Sequence, residues 1–280
     1  MPTIAVIGSV NLDLVATVDR LPAPGETVTG AELSRFPGGK GANQALAAQR
    51  LGADVKLVAC VGSDTAADEA LTSLRDGGVE LSDCQVVDDV PTGTALIAVS
   101  PSGENHIVVA PGANRWLAPD LLALPTADAL ICQLEVPTDT VAKAVEEFQG
   151  FICVNLAPAM QIDVSVLQRA DLIVVNESES AWYGESLSAC TGMIATTFGA
   201  AGAVLSRQGE DIARTKPPRV DAIDTTAAGD TFTAALTVAL VEGQEPEAAL
   251  QFACAAGAAA ATKLGAQPSL PTRDEVIALL

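Results

Sequence analysis

The sequence predicts one α/β domain: a parallel sheet covered by helices, carrying a small β lid. Three observations lead there. Short apolar runs alternate with amphipathic ones along most of the 280 residues. Two stretches, Asn11–Arg35 and Thr92–Ala110, break the rhythm with alternating, turn-rich sequence. The C-terminal part reads as helix after helix.

In chain order, TIAVIGSV (Thr3–Val10) is a buried strand. GANQALAAQRLG (Gly41–Gly52) is a helix that stops at its glycine. DVKLVACVG is a strand, and TAADEALTSLRDGG a helix halted by two glycines. DALICQLE, FICVNLAP and DLIVVNE are strands, with the helix TDTVAKAVEEFQG after the first. TTFGAAGAVLS (Thr196–Ser206) is strand, Gly turn, strand. Helices are expected over Gly229–Gly243, Pro246–Gly265 and Thr272–Leu280. The β–α alternation dictates a parallel sheet, because each crossover helix returns the chain in the same direction. The insert Thr92–Ala110 gives two strands around the turn SPSGEN. With Asn11–Arg35 it is expected to form a small antiparallel patch, a lid of about residues 12–36 and 92–111 over the sheet's carboxyl edge. No repeat or linker divides the chain, so residues 1–280 are read as one domain.

The formal charge of −20 argues against nucleic acid, since such a chain repels a phosphate backbone. The acidity is assigned to solubility, as in a salt-rich cytoplasm. The six cysteines form no C-x-x-C pair, several lie in apolar runs, and there is one histidine, which argues against a zinc site. No leader and no run long enough to span a bilayer is seen. The expectation is a reduced, cytoplasmic protein with no membrane role.

Three constellations carry chemistry. GSVNLD places Asn11 and Asp13 at alternate positions after the first strand, both able to face one way, where an amide and a carboxylate suit a polyol. An Asx turn would explain the same residues. FPGGKGANQA sets Lys40 among glycines, with Asn43 within one turn, ahead of a helix. It lacks the spacing of a P-loop and of a dinucleotide fingerprint, so only close backbone approach plus Lys40 and Asn43 remains. DTTAAGD runs from Asp224 to Asp230. Ala227, Ala228 and Gly229 leave the amides of a helix start open to an anion. Asp230 is read both as the cap of that helix and as a proton acceptor beside the anion. Weaker signals are NESE (Asn176–Glu179), the Gly turn Gly199–Gly202 and KLGAQPSLP (Lys263–Pro271), a loop with carbonyls for a cation.

In this order the motifs GSVNLDLVATVDRLPAPGETVTG, GGKGANQA, GENHIVVAPGAN, NESE, DTTAAGDTF and GAQPS cover nearly the whole chain. The chain resembles the PfkB family of sugar kinases, and its ribose-phosphorylating members most closely. The resemblance implies a three-layer α/β/α fold with a mostly parallel central sheet and a β lid that also forms a homodimer contact. It implies transfer of the ATP γ-phosphate to the 5-hydroxyl of ribose, with Mg²⁺ and an activating K⁺. The sugar contacts it implies are Asn11, Asp13, Gly39, Lys40, Asn43 and Glu135, with Asp230 as base and Ala227, Ala228 and Gly229 as anion hole. ATP would lie near Asn176, Thr197, Gly199, Gly202, Gly229 and Cys254. K⁺ would sit among Asp224, Thr226, Ala260, Lys263, Gly265 and Ser269, and Glu179 would reach Mg²⁺ through water.

The departures from the family pattern all fall in the nucleotide half. NLAP (Asn155–Pro158) replaces N-P-A-P, Ala201 stands where a basic residue is common, and Cys254 where His or Asn is. The segment between Glu179 and Thr196 is also short. Two alternatives stay open at this stage: a kinase for another pentose or a nucleoside, and a sugar-binding protein with weak catalysis.

Overall fold

The computed structural model describes residues 1–101 and 104–280. Ser102 and Gly103, the tip of the expected SPSGEN turn, lie outside the described residues.

The chain runs through β1 (Thr3–Ile7), β2 (Asn11–Thr17), β3 (Glu32–Gly38), α1 (Lys40–Arg50), β4 (Asp54–Gly62), α2 (Thr65–Asp76), β5 (Cys84–Val87), β6 (Gly93–Val99) and β7 (Asn105–Ala110). It continues with β8 (Ala129–Cys132), α3 (Thr138–Glu147), β9 (Phe151–Asn155), α4 (Val164–Arg169), β10 (Leu172–Asn176), α5 (Glu177–Tyr183), β11 (Met193–Thr197), β12 (Ala203–Arg207) and β13 (Glu210–Thr215). It closes with α6 (Ala228–Val241), α7 (Pro246–Ala260), α8 (Ala266–Ser269) and α9 (Arg273–Ile277).

Among the described residues the main sheet has the order β13-β12-β11-β10-β9-β8-β1-β4-β5. From β11 to β5 every pairing is parallel; β12 and β13 close one end antiparallel. Successive residues of β1 serve opposite layers. Ile4 and Val6 join the core under α1, α2, α6 and α7. Ala5 and Ile7 join the core under α3 and α4. Period-2 alternation on a strand covered on both faces produces the three layers. β1 pairs with β4 on one side and with β8 on the other. The strand order therefore reverses at β1, and a ligand crevice opens there outside the carboxyl ends.

The second sheet has the order β3-β2-β6-β7. It is mixed and not purely antiparallel as expected, because β2 pairs with β6 in parallel. Both strands leave the main sheet in the same direction, after β1 and after the β4–β5 region, so they meet parallel. The C-terminal helices are shorter than their sequence runs. The stretch Pro246–Gly265 is helical only to Ala260, and Gly265, at φ +81, starts the separate α8. Thr272 caps α9 through Glu275, so the last helix starts at Arg273 and stops at Ile277. β5 and β13 had no distinct signal, being short edge strands with polar residues.

α6 and α7 pack side by side through alanines, whose small side chains permit close approach. The buried hydroxyls of Thr231, Thr233 and Thr237 donate to the carbonyls of Ala227, Gly229 and Thr233 four residues back. This satisfies them inside an apolar layer. No helix among the described residues is long and apolar enough to cross a membrane.

The position of α1 depends on a backbone contact. A Cβ at Gly41 would lie 2.5 Å from the Gly8 carbonyl carbon and 2.5 Å from the Ser9 amide nitrogen. Gly41→Ala is expected to lower unfolding free energy by about 1–3 kcal/mol, because both partners are backbone and neither can rotate away. Urea unfolding monitored by far-UV circular dichroism measures it.

Candidate active site

The carboxyl edge of the main sheet collects polar residues from sequence-distant strands. Ser9 follows β1, Glu135 follows β8, Asn155 and Asn176 end β9 and β10, and Thr197 ends β11. α1 lies over this edge and supplies Lys40, Asn43 and Gln44. α6 points its first turn at the same place.

Among the residues expected to hold a sugar, Asn11 and Asp13 are both buried on β2. Asn114 braces the β1–β2 junction. Its oxygen accepts from the Val10 amide at 2.9 Å, and its nitrogen donates to the oxygen of Asn11 at 2.8 Å. Asn11 therefore keeps its donor side free, not both functions as the motif alone suggested. Glu135 accepts from the Ser9 hydroxyl at 2.5 Å and from the Lys40 amide at 3.1 Å. Gly39 precedes α1 with φ +91 and no side chain to block that approach.

Lys40 is the positive centre. Burial disfavours its ammonium, but the carboxylates of Asp230, Glu135, Glu179 and Asp13 outweigh burial and raise its pKa. Asp13 answers the same field with the opposite sign. Burial, then Glu135 and Asp230, push its carboxyl up to about 7 against the pull of Lys40.

Asp230 is not the cap of α6. Ala227 holds the cap position without a side-chain bond, and Asp230 is the third helical residue. Its carboxylate turns inward to α1 instead. Oδ1 accepts from the Gln44 amide at 2.9 Å and Oδ2 from the Asn43 amide at 2.9 Å. Of the expected anion hole, the Ala228 amide already closes a turn on the Thr225 carbonyl at 3.1 Å. Of the three amides expected to face an anion, that of Ala228 is thus already engaged within the turn.

Two cavities meet at this helix start. The larger, about 950 Å³, is walled by Asn176, Thr197, Gly199, Gly202, Gly229, Cys254 and the segment 217–222. The six residues expected near a nucleotide therefore all line the wall of this cavity. Burial pushes the Cys254 thiol up to about 12, so it is a neutral, apolar part of that wall. The smaller, about 80 Å³, is lined by Lys40, Asn155, Glu179, Thr226 and Asp230 among others. Asn176, Thr197 and Gly229 line both.

Glu179 and Asn176 form a capping box on α5, each side chain bonding the other's amide at 2.8 Å. Burial and Asp230 raise the Glu179 pKa against that amide and Lys40. The residues expected around K⁺ form two loops stapled by Asp224. It accepts from the Thr226 amide at 2.9 Å and the Gly265 amide at 2.8 Å. The Lys263 ammonium turns away to Glu275 at 2.8 Å, and the Ser269 hydroxyl is held by the Ala266 carbonyl. Ala260 accepts from the Lys263 amide at 3.4 Å. Among the described residues no group of three or more His, Cys, Asp or Glu side chains converges to hold a metal.

Sequence reasoning missed Ser9, Gln44, Asn114 and Gln133. Gln44 left one signal: a polar residue inside the alanine run ANQALAA, on the face α1 buries.

The description pfkB family carbohydrate kinase matches residues 1–273, and the chain belongs to that family. It is 38% identical to the ribokinase of Bacillus subtilis (strain 168) across the whole of both chains. Its fold is similar to the crystal structure of ribokinase from Thermotoga maritima, with TM-score 0.91, 34% identity and coverage of 100% of this chain and 99% of that one. It is also similar to Arabidopsis thaliana ribokinase complexed with ribose and ATP: TM-score 0.87, 31% identity, 99% of this chain and 98% of that one. The family membership makes the chain a sugar phosphotransferase.

The raised Asp13 carboxyl has a stability consequence. Between about pH 4 and pH 7 the folded chain keeps a proton there that the unfolded chain has lost. This contribution is full below pH 4 and declines as pH rises through 7. Asp13→Asn is expected to gain on the wild type by on the order of a few kcal/mol between pH 4.5 and 7.5. Denaturant unfolding at the two pH values tests this.

Proposed function

We propose that the chain transfers the γ-phosphate of ATP to the 5-hydroxyl of D-ribose. The observation that carries the reading is the shared wall of the two cavities. The volume suited to a nucleotide and the pocket holding Asp230 and Lys40 meet at Gly229, on the first turn of α6. The ribokinase relatives support ribose and ATP as the ligands.

In this reading Asn11, Asp13, Gly39, Lys40, Asn43 and Glu135 hold the sugar. The buried, unpartnered oxygen of Asn43 is an acceptor that a sugar hydroxyl would satisfy. Asp230 takes the proton of the attacking hydroxyl. The amides of Ala227 and Gly229, at the positive end of α6, stabilise charge on the transferred group, where catalysis rests on positioning and electrostatics. Asn176, Thr197, Gly199, Gly202, Gly229 and Cys254 line the nucleotide side.

The donor set fits the ions the family implies. Glu179, which shares the small cavity with the Asp230 carboxylate, suits Mg²⁺ held mainly by phosphates and water. The Asp224 loops offer one carboxylate and the carbonyls of Thr226, Ala260, Lys263 and Gly265 beside Ser269, a set suited to K⁺. Held by Glu179 and by the Asp224 loops, such ions would supply positive charge that offsets the charge of the phosphates. The six free cysteines suit a reduced cytoplasm.

The four-stranded sheet serves as lid and homodimer contact. Leu33, Leu96 and Val108 share one of its faces by register and are 50–66% exposed. Leu96→Asp is expected to leave a monomer where the wild type sediments as a dimer; a monomeric wild type removes the dimer from this reading.

ADP release is measured with ATP, Mg²⁺ and K⁺ against ribose, other pentoses, hexoses and nucleosides. Ribose is expected to support the fastest turnover. Asp230→Asn should lower kcat by about 10²–10⁴-fold and leave ribose affinity, read by calorimetry, near wild type. Faster turnover on another acceptor would move the substrate. Ribose binding without turnover would leave a binding protein.

A further inference from the structure

Behind Asp230 lies a chain of buried amides that the kinase reading does not use. Gln44 and Gln133 are fully buried, and Asn155 and Asp230 nearly so. Asn155 donates to the Val174 carbonyl at 3.1 Å. Gln44 donates to the Asn155 oxygen at 3.0 Å and to Asp230 Oδ1 at 2.9 Å. Gln133 donates to the Gln44 oxygen at 2.7 Å.

The direction of these bonds is dictated by chemistry. A backbone carbonyl only accepts, so Asn155 must present its NH₂ to Val174. Its oxygen then faces Gln44, which must answer with its own NH₂. That same NH₂ has a second hydrogen, and it points at Asp230. The Gln44 oxygen is left facing away, where the Gln133 NH₂ fixes it. A reversed Gln44 would place oxygen against oxygen at both Asn155 and Asp230.

The far end of the chain carries a cost. The Gln133 oxygen is buried without a partner, which is unfavourable in such a setting. It lies where a Cβ on Gly8 would be, 1.9 Å from that position. An apolar residue at 133 would avoid the unpaired oxygen but would release Gln44.

We propose that Gln44 is a positioning residue for the Asp230 carboxylate, oriented from both sides by Asn155 and Gln133. Gln44 holds Oδ1 and Asn43 holds Oδ2, and together they fix the plane of the carboxylate that receives the proton of the attacking hydroxyl. The new O–P bond forms as the bond from the γ-phosphorus to the bridging oxygen of ATP breaks and ADP leaves, and the proton released from the breaking hydroxyl O–H bond passes to the Asp230 carboxylate. This rests on the kinase reading above.

The test compares wild type, Gln44→Met, Gln133→Met, Asp230→Asn and the Asp230→Asn/Gln44→Met double variant, each after a thermal melt confirms folding. Steady-state ADP release gives kcat and the KM for ribose, and calorimetry gives ribose affinity. Gln44→Met is expected to lower kcat by about 10–100-fold, the scale of a misplaced catalytic group, with KM and ribose affinity changed less than about twofold. Gln133→Met, which keeps Gln44 but frees its orientation, is expected to show a smaller loss of the same kind, and it carries the test if Gln44→Met does not fold. In the Asp230→Asn background, Gln44→Met should have no further effect on the residual rate, because its only route is Asp230. Near-wild-type kcat in both single variants overturns the proposal. So does a loss that persists without Asp230, or one matched by an equal loss of ribose affinity. A wild type that phosphorylates no sugar fails the kinase reading, and the proposal with it, before any variant is compared.

Discussion

The contact between Gly8 and Gly41 places everything else. With no side chain on either, the first turn of α1 rests on the backbone that leaves β1. That puts Lys40, Asn43 and Gln44 over the point where the strand order reverses. It also brings the Lys40 amide within reach of Glu135, and α1 within reach of α6. A helix held one side chain further away would leave Asp230 a buried carboxylate without donors, which is strongly unfavourable.

Charge is the second organising constraint. Four carboxylates surround one ammonium in a chain that is already strongly acidic. They keep Lys40 charged in spite of its burial, while burial, together with Glu135 and Asp230, pushes the Asp13 carboxyl up to about 7. The acidic residues are thus distributed by environment: Asp13 half protonated near neutral pH, Glu135 bonded to Ser9 and Lys40, Asp230 held by amides, Glu179 tied into a helix cap. Similar side chains are given different tasks by what surrounds them.

Much of the fold was legible because its signals are periodic. The strands of the main sheet are short apolar runs, and the crossover helices are amphipathic, so their order implies parallel pairing. The motifs with unusual composition, such as Gly residues around Lys40 and the small residues before Asp230, marked the site. What was not legible is pairwise. Asp230 looks like a helix cap from sequence, because Asp near a helix start usually is one. Only the packing of α1 against α6 shows its carboxylate turned to Asn43 and Gln44. Gln133 sits in DALICQLE as one polar residue at a strand end, and its partner is 89 positions away. The parallel pairing of β2 with β6 was hidden for the same reason: strand direction between two inserts depends on where each leaves the main sheet.

The acidic wall around Lys40 also bears on the direction of traffic through the site. In the proposed reaction a neutral sugar enters, and a phosphorylated anion must leave. The carboxylates exert no net Coulomb force on the first and repel the second. In that reading the carboxylates that orient the acceptor push against its phosphorylated form, while Lys40 and the start of α6 pull on it, so the site holds the two forms by opposing electrostatic contributions.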